Sequence, residues 1–181
     1  MGSYPYNLNL KHYFMNTLNK RFFLLAGAML LLTLGSCDKS EKYEREEREK
    51  IDSYLASHPD QDFELKPSGL YYLEINPGDG QALQTHDTAC IKYTGKFLSG
   101  TVFDTNVFSN GTIDTLFAPV NEGYLVAGYD EGLTYMTEGG KSLMLIPSSL
   151  AYGPTGWGLI PGYTPLFFEV ELLRVVPGPR N

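Results

Sequence analysis

The fold of this chain is decided by the segment YTGKFLSGTVFD (residues 93–104) and by three segments that follow it in order: LVAGYDEGL (125–133), AYGPTGWGLIP (151–161) and LFFEVELL (166–173). Aromatic and branched side chains are interspersed in these segments with glycines, which permit tight turns. Such side chains can enclose a pocket with few polar groups. The pattern therefore predicts a dry pocket that binds one small apolar group.

The periodicity of the chain changes to two at Phe63 and predicts strands from there on. The predicted strands cover residues 70–76, 88–98, 101–103, 142–146 and 166–176, and the stretches 106–119 and 148–165 are predicted to be irregular. Tyr129, Leu133 and Met136 have the spacing of one helical face, and the glycine pair at 139–140 is predicted to end that helix. Strands joined mostly by tight turns around one helix predict an α+β fold, in which an antiparallel sheet packs one face on the helix.

The front of the chain resembles a secretory leader. A basic pair precedes the apolar run 22–34, which is too short to span a bilayer comfortably. The next residues, LGSC (34–37), are similar to a bacterial lipobox, in which the cysteine thiol receives a diacylglyceryl group and becomes the mature N-terminus. We expect a leader at 1–36, with Met15 as an alternative start. A buried core helix is the competing interpretation of the apolar run.

An acylated Cys37 places the protein in the cell envelope, lipid-anchored to a bacterial membrane and facing the periplasm or the surface. The chain has 14 Lys and Arg against 21 Asp and Glu, a net charge of −7. Residues 1–36 hold three of the basic groups and none of the acidic ones, so the remainder carries 11 basic and 21 acidic groups. Phosphates repel such a protein, which excludes a nucleic-acid partner. Anionic lipid repels it as well, so the acyl chains must supply its hold on the membrane.

Cysteine and histidine usage gives no indication of a metal or cofactor. With Cys37 acylated, Cys90 has no partner for a disulfide. It lies in the strand-like alternation TACIKY (88–93), which predicts a buried small hydrophobe. The three histidines are scattered along the chain. We predict no metal and no cofactor.

Residues 38–57 are rich in charge and predict a helix, with Ser40 as its N-cap. Glutamates placed four residues before a basic residue support such a helix by only about 0.2–0.5 kcal/mol per pair. Apolar residues appear only near its end, so we interpret it as a solvated spacer within a tether at 37–62. A dimerisation or docking helix is the alternative, which the lack of a heptad seam disfavours.

Taken in order, six motifs resemble the FKBP-type peptidyl-prolyl cis-trans isomerases. They are YTG (93–95), FD (103–104), GYDEGL (128–133), AYG (151–153), LIP (159–161) and FFEVELL (167–173). The resemblance covers about residues 69–176 and implies a bent antiparallel sheet of about five strands wrapped around one short helix, in a domain at 63–178. It implies an enzyme that rotates X–Pro bonds of extracytoplasmic proteins and assists their folding. Its partners would be proline-containing polypeptides and macrolide inhibitors.

The resemblance also assigns site residues by position. Asp104, Tyr152 and Phe168 would be catalytic, with the Tyr152 hydroxyl donating to a substrate carbonyl. The substrate-binding residues would be Tyr93, Phe103, Leu125, Val126, Tyr129, Leu159 and Ile160. Tyr129 stands where the family usually has a tryptophan, and Phe117 is the candidate for the remaining pocket aromatic.

Two other classes of function stay open at this point. One is a binding module that keeps the pocket but has lost turnover, which the exchange at Tyr129 favours. The other is a structural or adhesive envelope lipoprotein that uses the sheet surface, which a contiguous apolar patch outside the pocket would favour.

Overall fold

The structure is a computed structural model that describes residues 37–179. The predicted leader and its alternative start at Met15 lie outside the described residues. Two compact units are distinguished, Met1–Lys42 and Tyr43–Asn181, and every contact described below lies within the second. In the described part of the chain, no helix is long and apolar enough to cross a membrane.

Two α-helices and seven strands make up the described chain. The helices are α1 (Cys37–Ser57) and α2 (Ala127–Thr134), and a single 3-10 turn covers Ser148–Leu150. The strands are β1 (Glu64–Leu65), β2 (Tyr71–Asn76), β3 (Thr88–Phe97), β4 (Val102–Thr105), β5 (Leu116–Pro119), β6 (Lys141–Ile146) and β7 (Leu166–Val176).

All strands pair antiparallel in one sheet with the order β1-β2-β6-β7-β3-β4, and β5 pairs with β3 beside this path. The α+β class and the five predicted strands are confirmed as β2, β3, β4, β6 and β7. The prediction that residues 106–119 are irregular is wrong for β5, which pairs with the first half of β3. The four residues of β5 show no clear alternation and no tight turn joins them to a predicted strand, so pairing with β3 decides their conformation.

The sheet divides its apolar side chains between two faces, because neighbouring residues on a strand point to opposite sides. On β6, Met144 and Ile146 belong to a large core cluster that includes Tyr129 and Leu133 of α2. We call this side the α2 face. Leu143 and Leu145 lie on the other side, in a smaller cluster with Ile51 of α1, and we call it the α1 face.

Helix α2 approaches the sheet closely because it carries a glycine where it meets β6. A Cβ atom at Gly128 would lie 2.5 Å from Cγ2 of Ile146 and 3.1 Å from Cβ of Leu150. Tyr129 and Leu133 are buried as predicted. The helix ends at Thr134, earlier than the predicted stop at 139–140. Met136 lies just beyond the helix end, where its carbonyl accepts the Leu83 N–H, and it is still buried in the core.

Helix α1 forms, but the interpretation as a solvated spacer is wrong for its second half. Ile51, Tyr54 and Leu55 form one stripe at helical spacing, and Ile51 is only 4% exposed. This stripe covers Leu143, Leu145 and Phe167 on the α1 face. The helix also begins at Cys37, so Ser40 lies inside its first turn and is not its N-cap.

Candidate functional site

A cavity of about 380 Å³ opens on the α2 face, beside the N-terminal end of α2. Strands β3, β4 and β7 contribute one wall, and the segment before α2 and the loop after the 3-10 turn contribute the others. The residues that line it are Tyr93, Asp104, Leu116, Tyr124, Leu125, Val126, Tyr129, Tyr152, Trp157 and Phe168.

Aromatic rings set edge to face form the inner part of the cavity. The Tyr129 and Phe168 rings have centroids 4.9 Å apart at 85°, and Phe103 meets Phe168 from behind at 5.6 Å and 89°. Gly95 of β3 makes room for both phenylalanines, because a Cβ atom there would lie 2.7 Å from Cζ of Phe103 and 2.8 Å from Cε1 of Phe168. The glycine of the YTG motif is therefore required by close packing.

The polar groups of the cavity gather around one carboxylate. The Tyr93 hydroxyl donates a 2.8 Å hydrogen bond to Oδ2 of Asp104. Burial, followed by this bond and the Asp104 charge, raises the pKa of Tyr93 well above its usual value. Burial and the Asp104 charge raise the pKa of Tyr152 as well, so both hydroxyls stay protonated donors at neutral pH. The Tyr152 hydroxyl forms no hydrogen bond within residues 37–179, which leaves it available to a ligand.

The buried Tyr129 hydroxyl has no hydrogen-bond partner among the described residues. Its side chain is 4% exposed, and burial is the main cause that raises its pKa far above the usual value, followed by the neighbouring Tyr93 and Asp104. A buried hydroxyl without a partner costs about 1–3 kcal/mol of stability. The floor of the cavity is therefore not built for stability alone.

The wall before α2 is held by the start of the helix and by one buried carboxylate. The Val126 carbonyl accepts the N–H groups of Tyr129 and Asp130, so Val126 is the N-cap residue. Oδ1 of Asp130 accepts the Asn121 N–H at 3.1 Å and ties down the turn that precedes Leu125. Asp130 is a supporting residue that the sequence interpretation missed.

The long loop after the 3-10 turn supplies the opposite wall. The rings of Tyr152 and Trp157 stack with centroids 5.6 Å apart at 14°. Trp157 and Ile160 exchange two backbone hydrogen bonds of 2.9 Å around a two-residue turn. Ile160 is 7% exposed and anchors the loop in the core, whereas Leu159 at the tip of the turn is 89% exposed.

Seven of the ten predicted site residues line the cavity. The other three do not: Phe103 and Ile160 pack in the core cluster beside it, and Leu159 is exposed to solvent. Phe117 is also misplaced, since it is 57% exposed on β5 and its neighbour Leu116 lines the cavity instead. Successive strand residues face opposite sides, so the prediction was wrong by one residue.

Three lining residues were missed, namely Leu116, Tyr124 and Trp157. Trp157 carried a usable signal, because it is the only tryptophan of the chain and lies in a glycine-rich loop next to a pocket tyrosine. Tyr124 directly precedes the apolar pair Leu125-Val126, and its 74% exposure places it at the rim.

The family of the chain follows from its similarity to known proteins. The family model described as FKBP-type peptidyl-prolyl cis-trans isomerase matches residues 80–173, just over half of the chain. The chain belongs to this family. The matched residues include every residue that lines the cavity, so the FKBP-type fold and the candidate site coincide.

Several FKBP-type relatives and a solved structure resemble the chain. It is 40% identical over 117 residues to the macrophage infectivity potentiator of Trypanosoma cruzi, covering 64% of this chain and 57% of that protein. It is 41% identical over 110 residues to the FKBP-type 22 kDa peptidyl-prolyl cis-trans isomerase of Escherichia coli, covering 60% and 51%. The crystal structure of FkpA from Escherichia coli superposes with a TM-score of 0.66 at 26% identity, covering 96% of this chain and 75% of that one. The chain spans a little over half the length of the two curated relatives.

Proposed function

We propose that this protein is a peptidyl-prolyl cis-trans isomerase that acts in the cavity on the α2 face. The observation that carries the proposal is the composition of that cavity: aromatic and branched walls, one carboxylate, and hydroxyl groups gathered on one side. None of the residues that line it is a serine, cysteine, histidine or lysine. Rotation about an X–Pro bond suits such a site, because it breaks amide resonance and no covalent bond.

The barrier to this rotation is about 18–20 kcal/mol, since the planar amide must lose its resonance. A twisted amide is less polar than the planar form and has a more basic nitrogen and a more ketone-like carbonyl. An apolar cavity therefore binds the twisted form better than the planar, hydrated form. This is catalysis by differential binding of the transition state, which lowers the barrier without a nucleophile.

Each group in the cavity has a proposed role in that scheme. Phe168 and Tyr129 hold the proline ring between their faces and edges, with Phe103 fixing the orientation of Phe168 from behind. Tyr152 donates its hydrogen bond to a carbonyl of the peptide. Asp104, held by Tyr93, interacts with the twisted carbonyl through the polar groups around it. Leu125 and Val126 place backbone and apolar side chains along the peptide, and Trp157 covers its outer side.

The test is the isomerisation rate of a tetrapeptide with one X–Pro bond, measured with the full chain in detergent. The wild type should accelerate isomerisation, and Tyr152→Phe should lower kcat/KM by about 2- to 12-fold, since a net hydrogen bond contributes about 0.5–1.5 kcal/mol. Tyr71→Phe, which removes a hydroxyl on the α1 face, is the matched control and should keep the wild-type rate. A folded wild type that binds the peptide without accelerating it would instead favour a proline-binding module.

We further propose that Cys37 is acylated, that residues 1–36 form its leader, and that the protein is held at a bacterial membrane with its isomerase domain at 63–178. The LGSC sequence and its preceding apolar run support this. Bacteria that express the chain and are fed labelled palmitate should label the wild type. Cys90→Ser, at the buried second cysteine, should keep the label, and Cys37→Ser should lose it and leave the membrane fraction. Label retained by Cys37→Ser would refute the anchor.

Macrolide inhibitors are the second class of ligand proposed for this cavity. Trp157 is the only tryptophan of the chain and lines the cavity, so its fluorescence reports binding directly. Titration with a macrolide should change the emission of the wild type and compete with the proline peptide. Phe168→Ala should lose both effects. An unchanged emission together with uninhibited turnover would exclude macrolide binding.

A further inference from the structure

Helix α1 buries a carboxylate against Ser148, at the start of the loop that carries Tyr152, and this carboxylate has no ion partner among the described residues. Glu47 is 7% exposed, and no Lys or Arg of residues 37–179 forms a salt bridge with it. Its two oxygens instead accept the backbone N–H of Ser148 at 2.5 Å and the Ser148 hydroxyl at 2.6 Å. Burying a charge is costly unless it is fully hydrogen-bonded. Ile51, Tyr54 and Leu55 already dock the helix, so Glu47 does something that an apolar residue would not do.

Ser148 is the first residue of the loop that leads to Tyr152. Its carbonyl accepts the N–H of Ala151 at 2.9 Å and of Gly153 at 2.8 Å, so the residues on both sides of Tyr152 are bonded to it. Any rotation of Ser148 is therefore passed to the backbone of Tyr152. Glu47 restrains that rotation, because it holds both donors of Ser148 at once.

The C-terminal end of this loop also contacts helix α1. The N–H of Tyr163 donates to the Gly153 carbonyl at 3.0 Å. The Tyr163 ring stacks on Tyr43 of α1 with centroids 5.3 Å apart at 21°. Tyr43 and Glu47 are four residues apart and so lie on one face of the helix. The contacts form a closed circuit from Glu47 through Ser148, Gly153 and Tyr163 back to Tyr43, and Tyr152 lies inside it.

From this circuit we infer that helix α1 is a positioning element of the active site, and that Glu47 and Tyr43 clamp the two ends of the loop that carries Tyr152 and Trp157. The inference rests on the proposed isomerase function, because it concerns the same site. Neither residue touches the substrate. They keep the Tyr152 hydroxyl and the Trp157 ring where the peptide meets them, so that little of the binding energy is spent on ordering the loop.

The test compares variants of the full chain in detergent by two readouts, kcat/KM on the proline tetrapeptide and amide hydrogen exchange of residues 148–163. Glu47→Ala removes both acceptors. Glu47→Gln can keep both bonds, since its carbonyl accepts the N–H and its amide donates to the hydroxyl oxygen. Val175→Ala is the control for stability, because Val175 is buried at the opposite end of β7 from the loop. Tyr43→Ala and Tyr43→Phe test the other end of the circuit.

We expect Glu47→Ala to lower kcat/KM by about 10-fold, as small misplacements of substrate-positioning groups do, and to speed exchange of the Gly153 and Tyr163 amides. Glu47→Gln should restore most of the wild-type kcat/KM and most of the wild-type protection of these two amides. Tyr43→Ala should have a smaller effect in the same direction, and Tyr43→Phe, which keeps the stack, should affect loop exchange less than Tyr43→Ala does. Val175→Ala should lower the unfolding midpoint without changing the amide hydrogen exchange of residues 148–163.

The inference is overturned if Glu47→Ala leaves loop exchange at the wild-type level, or if Val175→Ala reproduces the same loop exchange and rate loss. Should the wild type prove inactive on every proline peptide, the proposed function would fail. The exchange comparison would still decide whether α1 holds the loop.

Discussion

The two faces of the sheet bury similar side chains, yet the cavities beside them are lined differently. The cavity beside Phe167 on the α1 face includes Lys96, Glu169 and His58 in its lining, whereas aromatic and branched side chains around one carboxylate line the cavity beside Phe168 on the α2 face. Phe167 and Phe168 are neighbours on β7 and are 6% and 7% exposed, one on each face. On the α1 face, a helix of 21 residues packs Ile51, Tyr54 and Leu55 against the sheet. On the α2 face, a helix of eight residues covers only part of the sheet, and rings set edge to face enclose a space. Burial alone does not make a site; the side chains that line the neighbouring cavity do.

The largest expected effect is on stability and is equal on the two faces. Phe167→Ala and Phe168→Ala should each lower the free energy of unfolding by about 3–5 kcal/mol, because each leaves a cavity in a packed cluster. Denaturant unfolding of both variants measures this. A loss below about 1 kcal/mol for Phe167→Ala would mean that α1 does not pack on the sheet as described.

The next largest effect concerns the close packing of Gly95 against the rings of the α2 face. Gly95→Ala should cost about 1–3 kcal/mol, because the added methyl group meets two phenylalanine rings that cannot both withdraw. It should also lower kcat/KM, since Phe168 is displaced into the cavity. Thr94→Ala, at the neighbouring position on β3, is the control and should keep the wild-type rate. Unchanged kcat/KM in Gly95→Ala would show that the ring positions on the α2 face do not matter.

Tyr129 gives a prediction of opposite sign. Tyr129→Phe should raise the free energy of unfolding by about 1–3 kcal/mol, because it removes a buried hydroxyl that has no partner within residues 37–179. Tyr72→Phe is the matched control on the same face. Its hydroxyl bonds Oγ of Ser142 at 2.7 Å, so its loss should destabilise the protein. Thermal or denaturant unfolding of the two variants compares them, and a destabilised Tyr129→Phe would show that the hydroxyl has a partner.

The smallest effect is a dependence of stability on alkaline pH. Folding raises the pKa values of Tyr93, Tyr129 and Tyr152, mainly by burial. Their contribution to stability is therefore complete below the usual tyrosine pKa of about 10 and is lost as the pH rises above it, since the unfolded chain releases these protons first. Tyr129→Phe should make this decline shallower by up to about 1.4 kcal/mol per pH unit. Equal slopes in the wild type and the variant would contradict the burial of an ionisable Tyr129.

Most of the fold and of the site could be predicted from the sequence, because the longer elements show a clear hydrophobic period and the site lies in family motifs. Short elements and contacts between distant parts of the chain could not be predicted. Strands β2, β3, β6 and β7 and helix α2 follow from alternation and helical spacing. Strand β4 follows from the tight turn at 99–100 after β3, and seven pocket residues follow from the family motifs. Strand β5 was missed because four residues give no period and no tight turn joins it to a predicted strand, and its register decided between Leu116 and Phe117. Trp157 was not assigned to the pocket because it lies between the AYG and LIP motifs and belongs to neither.

The packing of helix α1 likewise could not be predicted from its own sequence. Its charged sequence predicts a helix and suggests solvation, because a narrow stripe of apolar residues is typical of a helix without a partner. The partner surface is made by alternate residues of β6 and β7, which no local pattern of α1 reveals. The burial of Glu47 depends on Ser148, about a hundred residues away in the chain, so only the structure shows that contact.

The central claim is that isomerisation takes place on the α2 face and not elsewhere on the sheet. The most direct test is the rate of X–Pro isomerisation of a tetrapeptide, followed by NMR exchange, with the wild type, Phe168→Leu and Phe167→Leu. Leucine keeps most of the buried volume, so both variants should fold. We predict that Phe168→Leu loses most of the acceleration and that Phe167→Leu keeps the wild-type rate. Equal loss in both variants, or full activity in Phe168→Leu, would contradict the claim.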